Sequence, residues 1–231
     1  MTFESFFTAG GIVAYPLLAF SLLAVALTIE RLLFWLRINR RQTKVIKEII
    51  KSYRFDLNAT LAKLKKNINL PVCRIFLEAL ALNNPTPEEF RLALESAAMA
   101  ELPSLKRFNT VFETIIAVSP LLGLLGTILG LMKSFSSLNF GDLGGSATAA
   151  VTGGIGEALV STVMGLVVAI FTLLFANFFR SLYLRQMALI QEYGGQLELI
   201  YRQKYNQNQD NKSDREKEYA FTKRTGFSTD N

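Results

Sequence analysis

Charged residues cut this chain into apolar runs whose lengths leave few folding options. Gly10 to Ile29 is twenty residues without a charge, Thr114 to Met132 is nineteen, and Ala158 to Phe179 is twenty-two. At ~1.5 Å of helical rise per residue each covers roughly 29–33 Å, matching a bilayer hydrocarbon core of ~30 Å. A single run of this kind is compatible with a buried core helix. Three of near-equal length, in 231 residues that are 50% hydrophobic and 19% charged, predict three membrane-spanning helices. Soluble domains run nearer ~25% charged.

The basic residues set an orientation. Residues 1–9 carry only Glu4, and the connection 135–152 carries only Asp142. Residues 37–110 hold fourteen Lys+Arg against seven Asp+Glu, with Arg37, Arg40, Arg41, Lys44, Lys47, Lys51 and Arg54 crowded into the first part. Positive-inside bias puts the N-terminus outside, residues 37–110 inside, a short loop outside and the C-terminus inside. The net charge of +6 is thereby read as a topology signal, and no nucleic-acid partner is expected. The first run is too long for a signal-peptide core and lacks a basic lead, so it is expected to remain as the first span.

The chain has no His and one Cys, Cys73. That excludes a Ser-His-Asp triad, an imidazole shuttle, an intrachain disulfide and a Cys-rich zinc site. No enzyme activity, metal or cofactor is expected.

The reading is an all-α membrane protein: an external segment 1–9, transmembrane helix 10–36, a cytoplasmic helical region 37–110, transmembrane helix 111–134, an external loop 135–150, transmembrane helix 151–180, a cytoplasmic helix 181–205 and a disordered tail 206–231. Thr86, Pro87 and Glu89 spell a helix start with a capping box. From Pro87 the pattern runs without Gly into the second span, predicting one long helix with a kink at Pro103. Gly194-Gly195 is expected to weaken the extension of the third span. Arg31, at the inner end of span one, is expected to snorkel or pair.

Spans two and three differ from span one in their small residues. Ser119, Gly123, Gly126/Thr127, Gly130 and Ser134 step by three or four, as do Thr162, Gly165, Ala169, Thr172 and Ala176. Such seams let helix backbones approach and hydroxyls bond across helices. Two readings follow: a plain packing interface, or a narrow polar path lined by Thr127 and Thr162. Glu157 favours the second. The uncharged stretch from Ser146 allows span three to begin there, placing Glu157 up to ~16 Å along the helix. A carboxylate in hydrocarbon costs at least ~2.5–3.5 kcal/mol and marks a protein-lined or wet environment. Thr127 and Thr162 fall at similar depth in antiparallel helices.

The stretches SPLLGLLGTILGLMKSF (119–135) and GIGEALVSTVMGLVVAI (154–170), in this order, resemble the MotA/TolQ/ExbB proton-channel family, and three spans in a short chain resemble its ExbB/TolQ branch. The resemblance implies a homopentamer around a pore, a single-span ExbD- or TolR-like partner carrying a membrane Asp, and transfer of work to a TonB- or TolA-like protein from a bacterial inner membrane. By motif position it implies that Thr127, Glu157 and Thr162 line the proton path or face the partner. Gly123, Gly126, Gly130, Gly165 and Ala169 remain the packing seam. Lys133 and the long tail are departures from the family pattern. A TolQ-like role in envelope integrity, a non-conducting scaffold and sodium coupling stay open.

Overall fold

In the computed structural model the described residues are 11–136 and 145–225. They are helical, as the sequence predicts, and no strand occurs among them. A short 3-10 turn, Gly11–Val13, leads into α1 (Ala14–Phe55). Then come α2 (Leu57–Lys66), α3 (Pro71–Leu80), α4 (Pro87–Leu105), α5 (Asn109–Ser136) and α6 (Gly145–Thr225). Three helical stretches, within Gly11–Phe55, Pro87–Ser136 and Thr152–Phe221, are long and apolar enough to cross a membrane. The expected segment 1–9 and residues 137–144 of the expected loop lie outside the described residues.

The chain divides into two compact units. The first comprises the chain up to Leu36 together with Lys106–Leu184; the second comprises Arg37–Leu105 and the chain from Arg185 onward.

In the first unit the usual sorting of side chains is inverted. The buried residues of α5 are Phe112, Ile115, Ser119, Gly123, Gly126, Gly130 and Ser134. On α6 they include Ala158, Ser161, Ala169 and Thr172. Leu121, Leu124, Ile128, Met132, Leu159, Val163, Val167 and Leu174 are exposed. A water-soluble domain would bury the second group and show the first. An exterior this apolar needs hydrocarbon as its solvent, and an interior of Gly and Ser is how helices pack there. Helix α1 buries Ala14, Leu17, Ala24, Thr28, Arg31 and Trp35 along one stripe and exposes Leu18, Leu22, Val25 and Leu33 on the other. Arg31 does not snorkel: it is 3% exposed, with its guanidinium over the Phe34 ring at 4.9 Å.

The second unit has an ordinary hydrophobic core. Ile46, Ile49, Leu64, Val72, Ile75, Phe76, Phe90 and Leu197 are buried in it. Asp56 caps α2 by accepting the Asn58 N–H at 2.8 Å. The predicted capping box is present at the start of α4: the Thr86 N–H donates to Glu89 at 2.7 Å, and the Glu89 N–H donates to the Thr86 hydroxyl at 3.3 Å. The Thr86 N–H, and next its hydroxyl, hold the Glu89 carboxyl below its usual range. Helix α3 packs on α4, and Arg74 joins them through a two-pronged bond to Glu101. Deeper in, Gln42 and Gln186 exchange amide bonds of 3.0 and 3.1 Å, each side chain donating to the other.

Cys73 is fully buried in this unit, and burial pushes its thiol up to about 12. Because the thiolate is the reacting form, a maleimide is expected to label Cys73 on the order of 100-fold more slowly in the folded chain than in denaturant. Rapid labelling of folded protein, read by mass, would contradict this packing.

Two expectations are corrected. The helix from Pro87 does not run into the second span. It ends at Leu105, and a turn over 106–108 places Phe108 at φ 66° before α5 starts at Asn109. The break falls three residues beyond Pro103, in the left-handed region that a non-Gly residue enters only at a cost of roughly 1–2 kcal/mol. Helix α6 runs unbroken through Gly194-Gly195. The residues from 206, expected to be disordered, are helical through Thr225 and exposed through Phe221, as far as side chains are described. No Gly or Pro lies between Gln196 and Thr225, and contacts within the helix, such as Lys217–Asp214 and Gln209 to Tyr205, help a polar helix persist without a core.

Candidate functional site

Helices α5 and α6 meet along the small-residue seam in the first unit, and the glycines measure how close they come. A Cβ on Gly123 would lie 3.0 Å from both the Ser161 carbonyl oxygen and the Thr162 Cα. One on Gly130 would lie 3.0 Å from the Gly154 carbonyl oxygen and 3.1 Å from the Ala158 Cβ. One on Gly165 would reach 2.5 Å from the Ser119 carbonyl oxygen. A Cβ on Gly126 would collide with the Ser161 side chain. Backbone therefore lies on backbone along the seam. Ala169 is buried in line with it, at 7% exposure.

The hydroxyls are bonded at this contact. Ser161 donates to the Ala158 carbonyl at 2.8 Å and reaches the Gly123 carbonyl at 3.3 Å. Thr162 also donates to the Gly123 carbonyl, at 3.3 Å. Thr127 donates within its own helix to the Leu124 carbonyl at 2.5 Å. The Oγ of Ser119 is buried without a partner among the described residues.

Because Gly126 faces Ser161, Thr127 and Thr162 follow directly on residues that touch. Thr162 lies against Gly123, to whose carbonyl it bonds, so Thr127 stands about one helical turn along α5 from that contact. Both are half-buried, on the rim of the seam rather than in its centre. No hydrogen bond joins them to each other. Each hydroxyl spends its proton on a carbonyl and keeps lone pairs that can accept from a water or an acid.

Glu157 lies inside α6, twelve residues past its start at Gly145, or about 18 Å along the axis. It immediately precedes Ala158, which packs by Gly130. Its side chain falls outside what the structure describes.

The sequence reading missed Ser161. The spacing predicts Thr162 as the seam residue of α6, whereas Ser161 is fully buried and Thr162 flanks it. The signal is in the sequence: Gly154, Ala158, Ser161, Gly165, Ala169 and Thr172 also step by three and four, sharing Gly165, Ala169 and Thr172 with the series through Thr162 and putting Ser161 in its place. Ala176, placed in that series, is half-buried.

The sequence profile of the MotA/TolQ/ExbB proton channel family matches residues 61–192. A Synechocystis protein named putative biopolymer transport protein ExbB-like 3 is 64% identical over 93% of this chain and 100% of its own length. ExbB-like 1 of the same organism is 41% identical over 85% of this chain and 78% of its own. The biopolymer transport protein ExbB of Neisseria meningitidis is 38% identical over 44% of this chain and 43% of its own.

Proposed function

The chain belongs to the MotA/TolQ/ExbB proton channel family, with ExbB-like biopolymer transport proteins among its relatives, and from that membership we propose that it is the multi-span subunit of a proton-driven energy transducer. On this reading five copies surround a pore in a bacterial inner membrane, with the N-terminus periplasmic and the C-terminus cytoplasmic. An ExbD-like single-span partner brings a membrane Asp. The resulting work powers TonB-dependent uptake across the outer membrane.

The observation that carries the reading is the pair of half-buried threonines flanking the α5–α6 seam, Thr127 on α5 and Thr162 on the helix that also holds Glu157. The three apolar runs contain no Asp or Glu, so a carboxylate that takes and releases a proton there must come from another chain or from a Glu that borders a run, as Glu157 does. Thr127 and Thr162, each donating to a carbonyl, can accept from a protonated partner acid or from water without fixing a charge in hydrocarbon.

The test is uptake of an iron-siderophore or cobalamin in cells whose own subunit is replaced by variants of this chain. Glu157→Gln and Thr162→Val are each expected to lower energy-dependent uptake by more than tenfold while leaving the protein in the membrane. Uptake is expected to fall with a protonophore and not with a sodium ionophore. Wild-type uptake in both variants would reject these residue roles. One observation favours a non-conducting scaffold instead: both threonine hydroxyls are already satisfied by backbone carbonyls of this chain. The scaffold reading predicts that both substitutions are tolerated. A TolQ-like role predicts loss of envelope integrity with uptake intact.

A further inference from the structure

We propose that Arg37, Arg40 and Arg41, the first basic residues of the second unit, form a binding site for the headgroup phosphates of anionic lipids. The inference rests on α1 crossing a membrane and is independent of proton coupling. Arg37, Arg40, Arg41, Lys44, Lys47, Lys51 and Arg54 are all exposed on α1. At 100° per residue they fall within an arc of about 140°. The opposite side of the helix buries Ile38, Gln42, Ile46, Ile49 and Tyr53. The seven cations therefore make a stripe rather than a collar.

Within this stripe the positive charge is in large excess, seven cations to one carboxylate. Glu48 is the one carboxylate between Arg37 and Arg54. None of the seven cations forms an ion pair among the described residues, whereas Arg74, Arg91 and Arg202 of the same unit each hold a Glu. A continuous row of seven cations that forms no ion pair is complementary to an anion supplied from outside the chain.

Distance along the helix selects the occupant. Arg37 follows directly on the apolar segment, and Arg41 lies about 6 Å further along the axis. The headgroup layer of one leaflet is itself roughly 5–8 Å deep. Lys47, Lys51 and Arg54 lie about 15–26 Å beyond Arg37, outside that layer and past a Debye length of ~8 Å at physiological salt. The side-chain type changes over the same interval. The three positions at headgroup depth are all Arg, whose planar fork grips phosphate with two bonds; Lys44, Lys47 and Lys51 follow. Basic clusters beside a transmembrane helix attract anionic lipid by about fivefold per residue.

The full chain, purified in mild detergent, is incubated with equal amounts of phosphatidylglycerol and phosphatidylcholine of the same acyl chains. Bound lipid is counted by native mass spectrometry. Wild-type protein is expected to enrich phosphatidylglycerol, and Arg37→Gln/Arg40→Gln/Arg41→Gln to lower that enrichment on the order of tenfold. Lys47→Gln/Lys51→Gln/Arg54→Gln is expected to retain it. Should the first triple variant fail to fold, the single substitutions at 37, 40 and 41 are each expected to cost a few-fold. Absent enrichment in the wild type, enrichment untouched at the three arginines, or equal loss from the distal triple would each overturn the site and leave a solvated charged face.

Discussion

Gly165→Val is expected to cost more than about 3 kcal/mol of stability, above the usual overpacking range of ~1–3 kcal/mol. The reason is what a side chain would strike. Even the first carbon would sit 2.5 Å from the Ser119 carbonyl oxygen and 3.1 Å from the Gly123 Cα. Both are backbone atoms and cannot rotate away, so relief requires α5 and α6 to part along the seam. Separation would break the bonds from Ser161 and Thr162 to the Gly123 carbonyl. Gly194→Ala is the control, because nothing lies within 4 Å of a Cβ there. It is expected to stabilise α6 by roughly 0.5–1 kcal/mol, the helix-interior difference between Gly and Ala. Thermal unfolding in one detergent compares the two. A Gly165→Val protein melting with the wild type would mean that the seam is not a backbone contact.

The second large effect concerns the reciprocal amides of Gln42 and Gln186, 2% and 4% exposed. Gln42→Leu leaves the Gln186 amide buried and without that partner, a loss of about 1–3 kcal/mol. Gln186→Leu is expected to cost a similar amount. The double substitution replaces both polar groups with apolar ones of similar size and is expected to recover most of the loss. Denaturant unfolding of the four proteins gives the coupling directly. If the double variant loses the sum of the two single losses, the amides do not act as a pair. The pair also has a positional consequence. Two leucines can slide past one another, whereas two amides meet both bonds at one register, so the double variant is expected to be stable but less fixed in the register of α1 against α6.

The predicted helices and the packing seam were legible because both depend on local composition. A run of about twenty uncharged residues has one stable form in hydrocarbon, a helix that satisfies its own backbone. The periodic small residues of α5, including Gly123, Gly126 and Gly130, are buried along the face their spacing marks. The capping box at Thr86–Glu89 is likewise a short-range pattern, and it forms as read. The misses have a different character. The break at 106–108 carries no Gly, and Phe108 takes a positive φ that nothing in LKRFN announces. The helix past Asn206 was obscured because a polar helix without a buried face resembles an unstructured segment in composition.

The sequence by itself determined the fold class, the three apolar spans and the residues able to line a close helix contact, since hydrocarbon solvent admits few backbone solutions. Only the tertiary structure decided that Ser161 rather than Thr162 occupies the seam, because a one-residue shift turns a helix by about 100° and both residues are small hydroxyls. It also decided that Arg31 is buried, that Gln42 meets Gln186 across 144 positions, and that the basic row from Arg37 forms no ion pair among the described residues. Each of these depends on which faces of distant segments meet, and local propensity carries no information about that.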